Sequence, residues 1–228
     1  MRNFVLLLFL GALVACQPID TTQESSDSNS KKSTQALMQD LKVLSSGACS
    51  SSSDCYSAGV GARSCGGPED YLVFSRWDSA SSIFETLYSY NEARKKEVSG
   101  SVGTCEYKAP PSLSCVQNKC KAQNSTDSGN SRLLTIVPGV LSLAPKNIAD
   151  AAEYTFRAQN NSTTYYIRTA QLDFSTRSRL DAYRKDEQTV QLNVRIFGLM
   201  IEATACEFIY ASCSTRVQAF DLRAIKVL

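Results

Sequence analysis

Histidine is missing altogether from these 228 residues. That absence removes Ser-His-Asp and Cys-His nucleophilic catalysis, His-ligated zinc hydrolysis and proton transfer through imidazole. Also missing are a Gly-x-Ser-x-Gly elbow, a phosphate-binding loop and a dinucleotide fingerprint. No two cysteines stand in Cys-x-x-Cys spacing, which excludes a thioredoxin-like redox pair and paired zinc knuckles. The longest apolar run, Phe4 to Ala15, is shorter than the roughly 20 residues a membrane-spanning helix needs. Charge is nearly balanced, with 24 basic and 22 acidic residues. Nucleic-acid binding asks for a clustered basic surface, so no nucleic-acid partner is expected. Neither a metal nor a cofactor is expected. Acids remain as possible catalysts, but Asp and Glu are scattered without a spacing that pairs them.

The chain begins Met1-Arg2-Asn3, followed by the apolar run and small residues before a break. A basic start, a short apolar centre and small residues at the end describe a secretory signal over residues 1–15. The signal closes on Leu13-Val14-Ala15-Cys16. This stretch resembles the lipobox of bacterial lipoproteins. The resemblance implies that the Cys16 thiol is lipidated and becomes the new N-terminus, with the membrane as partner. In that class the residue after the cysteine biases sorting. Gln17 differs from the Asp of inner-membrane retention, so the expected address is the outer membrane of the cell envelope. Two or more acyl chains make such attachment stable. Residues 16–33 are rich in Ser, Thr, Asp and Gln and cannot bury enough to order themselves. They read as a tether with an end-to-end distance of about 20–25 Å.

The chain has nine cysteines. With Cys16 assigned to the lipid, an even number remains in a compartment that permits disulfides. Six lie together: Cys49, Cys55, Cys65, Cys105, Cys115 and Cys120. Sequence alone does not choose their pairing. Bridges from the opening pair to the closing pair are favoured, because they close the longest loops. Cys206 and Cys213 stand apart and are expected to pair with each other.

Residues 34–122 read as a small cysteine-rich α+β domain. Leu37, Leu41 and Leu44 form one helical stripe. Cys65-Gly66-Gly67-Pro68 marks a turn, and Tyr71 to Phe74 a buried strand. Ser82-x-x-Glu85 has the form of a capping box, which predicts a helix over about 81–97. Phe84, Leu87, Tyr88 and Asn91 share its face, and Arg94-Lys95-Lys96 form its solvated end. Cys115 to Cys120 is expected to be an extended closing strand.

Residues 123–131 are polar and read as a linker, and 132–228 as a second domain. Leu133 to Leu143 is a β-branched run bent at Pro138-Gly139. Tyr154 to Ala158 and Thr163 to Thr169 alternate around the Asn160-Asn161 turn. Ser175 to Arg184 is helical, with Ser175 as cap and Leu180 and Tyr183 turned inward. Val190, Leu192, Val194 and Ile196 alternate with Gln191, Asn193 and Arg195, the mark of a half-buried strand. A last strand covers about 215–227. Strand, hairpin, helix and two strands resemble the OB fold, a small Greek-key barrel. In OB folds the connection between the last two strands commonly lines the binding face. That connection here carries Phe208 and Tyr210, the candidate binding residues; capping of the barrel end is their alternative role.

The expected fold class is therefore α+β: a small disulfide-rich α+β module followed by an OB-like five-stranded β-barrel. The expected function is a non-catalytic envelope lipoprotein that binds a protein, peptide or glycan. Two alternatives stand beside it: a carboxylate-dependent hydrolase acting on envelope material, and a structural subunit of an envelope complex.

Overall fold

The computed structural model describes residues 32–103, 106–123, 132–146, 153–208 and 214–228, and Lys32–Leu228 form one unit. The signal over 1–15, Cys16, Cys105, Tyr210 and Cys213 lie outside the described residues. The protein is mixed α+β. Among the described residues the strands form one seven-stranded sheet and a separate two-stranded hairpin.

The first helix, α1 (Thr34–Leu44), follows the leucine stripe. Ser33 caps it by accepting the Ala36 N–H at 3.2 Å, Leu41 is fully buried, and Leu37 and Leu44 are partly covered. Strands β1 (Cys55–Val60) and β2 (Asp70–Ser75) pair antiparallel. Helix α2 (Ala80–Val98) then lays Ile83, Phe84, Leu87 and Tyr90 against them. Its cap differs from the expected one. Ser79 accepts the Ser82 N–H, so Ser82 lies inside the first turn, and Glu85 reaches Lys226 at 2.6 Å instead of closing a capping box. The basic end is only partly solvated: Lys95 and Lys96 are exposed, but Arg94 pairs with Glu69 and Glu97.

Cys115 to Cys120 is not a single strand. Strands β3 (Ser112–Val116) and β4 (Lys119–Gln123) form a hairpin turning at Gln117 and Asn118, whose φ values are 53° and 58°. Two successive positive φ angles make the tight turn that matches strand twist. The hairpin is pinned to the opening segment by Cys49–Cys115 and Cys55–Cys120, with sequence separations of 66 and 65. In the chain-entropy picture a loop of that length stabilises by about 4 kcal/mol for the first bridge closed.

Strands β5 (Leu133–Leu143), β6 (Tyr154–Ala158), β7 (Thr164–Arg168), β8 (Val190–Thr204) and β9 (Arg216–Val227) carry the second half of the chain. Their pairings run β5–β6, β6–β7, β7–β9, β9–β8 and β8–β5, returning to the starting strand. The β7–β9 pair is parallel and the other four are antiparallel. Alternation along these strands points Leu141, Phe156, Ile167, Val194, Ile196, Phe220 and Leu222 into one apolar cluster. Helix α3 (Phe174–Tyr183) connects β7 to β8 and adds Leu180 to that cluster. Asp173, not Ser175, caps α3 by accepting the Thr176 N–H at 2.9 Å. Tyr183 is exposed rather than turned inward.

Most of the linker over 123–131 lies outside the described residues. The segments on either side of it share one sheet and one apolar cluster. Strand β1 pairs parallel with β5 at Ser57–Leu133 and Ala58–Leu134. Tyr56, Phe74 and Phe84 from the first segment pack with Leu134, Phe197 and Ala224 from the second. Beyond Ala58, Asn91 takes over from the strand neighbour: its amide donates to the Gly59 carbonyl at 3.2 Å and accepts the Gly61 N–H at 2.8 Å.

Gly139 lies in the middle of β5, where it faces both Ala158 and Val194. A Cβ there would overlap the Arg157 carbonyl and the Phe156 ring. Gly139→Ala is expected to cost about 1–3 kcal/mol through overpacking. Urea denaturation of the oxidised protein measures this, and a variant as stable as the parent would contradict the close approach.

Candidate functional site

Strand β7 shows two faces. Tyr165 and Ile167 enter the apolar cluster of the five-strand ring, while Tyr166 and Arg168 point to its outside. A 3₁₀ turn over Ala205–Glu207 brings the end of β8 back toward this outer face. Phe208 follows the turn, half-buried, and its ring lies 5.2 Å from Tyr166 at an interplanar angle of 28°. The Arg168 guanidinium is 5.9 Å from the Phe208 ring centre and pairs with Glu207. Glu207 is held in turn by the Thr204 N–H at 3.2 Å and hydroxyl at 3.0 Å. Phe208 therefore rests on the outside of the ring, not among the residues of its interior. Tyr210 and Cys213, the expected partner of Cys206, lie outside the described residues.

The same outer surface continues along β9. The register sets Arg168 beside Asp221. Burial pushes the Asp221 carboxyl above its ordinary range, against the pull of Arg223, Arg168, Arg132 and Arg76. Arg223 lies two residues further on the same face, where the first segment covers it to 5% exposure. Its two terminal nitrogens donate to neutral oxygens, the Gln171 side-chain carbonyl at 2.8 Å and the Arg76 backbone carbonyl at 3.0 Å. Burial lowers its affinity for the proton. Tyr56 serves as a stacking surface, with the guanidinium carbons of Arg132 and Arg223 at 4.6 and 4.8 Å from its ring centre. Arg76 lies 4.7 Å from the ring centre of the exposed Trp77 and 3.6 Å from Asp54.

A cavity of about 520 Å³ opens at this seam, between the start of α2 and the start of α3. Arg76, Arg179 and Arg223 line it together with two acids, Asp78 and Asp173. Both acids are occupied by neutral donors. Asp78 accepts from Ser46, the Gly47 N–H at 3.1 Å and the Ser75 N–H at 2.8 Å. Asp173 accepts from the Ser175 hydroxyl at 2.6 Å and from Thr176. Those bonds hold the Asp173 carboxyl down at about 2. A carboxyl so depressed is ionised at neutral pH and has no proton to give, so Asp173 is not suited to serve as a general acid.

The sulfurs of Cys49, Cys55 and Cys120 lie within 4.8 Å of one another. All three belong to the two bridges, and a bridged sulfur is not a thiolate ligand. The arginines and Tyr166 were not legible in the sequence as site residues. Arg223 and Asp221 occupy outward positions of an alternating strand, which ordinarily means water; only the covering segment buries Arg223 and half-buries Asp221.

No family model matches the chain, and no curated protein or solved structure matches it.

Asp54 behaves like Asp173. Hydrogen bonds from the Ser50 N–H, its hydroxyl and the Ser51 N–H hold its carboxyl at about 2, against an ordinary 3.8. For both groups the folded value lies below the unfolded one. Their stabilisation is complete above about pH 4 and is lost as pH falls toward about 2. Thermal midpoints should drop across that window, and the Asp54→Asn, Asp173→Asn double variant should show a shallower drop. An unchanged slope would contradict the assigned hydrogen bonds.

Proposed function

We propose that this protein is a lipid-anchored envelope lipoprotein that acts without catalysis, using an OB-like barrel to bind a protein, peptide or glycan. Two lines support the barrel. Its five strands pair in a ring that returns to β5, with a single parallel contact between β7 and β9, and α3 contributes Leu180 to the apolar interior. The binding reading rests on one observation: Phe208 stacks on Tyr166 outside that interior. A residue that merely capped the barrel end would be expected to join the interior cluster. Stacked aromatic rings beside a charged pair offer a flat apolar surface with hydrogen-bonding groups at its margin, which suits a sugar ring or an aromatic side chain. Membrane attachment through Cys16 follows from the lipobox, and the outer membrane from Gln17.

One experiment addresses both parts. The mature, oxidised protein is crosslinked in intact cells, and the membrane fraction is resolved with its partners. Phe208→Ala is expected to abolish the crosslinked species while stability stays within about 1.5 kcal/mol of the parent, the scale of one aromatic pair. Cys16→Ser is expected to release the protein from the membrane fraction. Retained crosslinks in Phe208→Ala, or a stability loss well beyond that scale, would overturn the binding role. Membrane retention of Cys16→Ser would overturn the anchor.

A further inference from the structure

We propose that the cavity between the starts of α2 and α3 is a binding site for a phosphate monoester carried on a small polar group, such as a sugar. The site is separate from Phe208 and does not depend on its role. Its centre is Arg223, a guanidinium buried to 5% exposure that makes no ion pair among the described residues. Its hydrogen bonds go to an amide and a peptide carbonyl, and its Nε has no acceptor among the described residues. A buried cation without a contacting anion is costly, and a ligand anion would supply the missing partner.

The surroundings fit that anion. Arg179 projects from α3 into the same cavity, where it donates to the Thr176 hydroxyl at 3.3 Å and makes no ion pair among the described residues. Arg76 lines the cavity too, and its one carboxylate partner among the described residues is Asp54 at 3.6 Å. Planar guanidinium forks match phosphate oxygens in pairs. Helix α2, 19 residues long, opens onto the cavity at Ala80 and Ser81. Ser79 takes up the Ser82 and Ile83 N–H groups, so the two N–H groups before them are the orphan donors of a helix start, which favour negative charge. The competing acids, Asp78 and Asp173, are already occupied by neutral donors. A volume of about 520 Å³ falls in the range of small-molecule pockets and leaves room beyond the phosphoryl group for a polar ring.

The test is calorimetric titration of the oxidised protein with glucose 1-phosphate, inorganic phosphate and glucose. Glucose 1-phosphate is expected to bind at least tenfold more tightly than glucose, and the difference should shrink as salt is raised. Tighter binding of the ester than of inorganic phosphate assigns the rest of the cavity to the sugar; equal binding would restrict the site to the free anion and overturn the ester. Arg179→Gln is expected to weaken the ester at least tenfold with an unchanged thermal midpoint. Arg157→Gln, on the exposed face of β6, should bind as the parent does. Failure of both phosphates to bind at millimolar concentration, or an Arg179→Gln variant that binds normally, would overturn the site.

Discussion

The outer surface of β8 and β9 is apolar along part of its length, and the segment before the linker covers it. Phe197 is the clearest case. It is fully buried, yet it packs away from the ring interior, with ring centres 5.7 Å from Phe84 and 6.1 Å from Phe74. Leu134 and Ala224 join the same cluster. Each large apolar side chain so covered is worth about 1.5–3 kcal/mol relative to exposure. Left uncovered, this surface would be a hydrophobic patch of the kind that drives association. The α1, α2, β1 and β2 elements therefore complete the structure of the ring rather than hang from it. The parallel contact between β1 and β5 fixes where they sit.

That coverage also creates the polar seam. Arg223 lies on the outward face of β9, an ordinary place for a charged residue. It becomes buried because the first segment closes over it, with the Arg76 carbonyl and the Tyr56 ring as its lid. The same closure brings the start of α2 opposite the start of α3 and leaves the cavity between them. The two crossed disulfides act further away: they fasten the β3–β4 hairpin to the first residue of β1 and to Cys49 before it. They hold the covering segment in shape, while the apolar cluster holds it to the ring.

Much of this was readable from residue patterns. The leucines of α1, the β5 run, the alternation of β8 up to Ile196 and the bridging of opening to closing cysteines were all legible in residue type and spacing. The misplaced features have local causes too. Ser79, Ser81 and Ser82 can each serve as a cap; Glu85 has capping-box spacing from Ser82, but it pairs with Lys226 and leaves the cap to Ser79. Gln117-Asn118 makes a tight turn without glycine, so nothing announced the hairpin. Asp173 outcompeted Ser175 because its carboxylate reaches three donors at once. The site was hidden for a different reason. Phe197 breaks the alternation at a register shift between Phe197 and Gly198, and Arg223 looks solvent-facing in any single strand. Their burial is a tertiary fact, set by a segment more than a hundred positions away.

Differential scanning calorimetry of the mature, oxidised chain tests the shared core most directly. A single transition whose calorimetric and van't Hoff enthalpies agree is the predicted result, since neither segment can shed the other without exposing Phe197. Two separable transitions, with the ring melting independently of the α1–β4 segment, would contradict it.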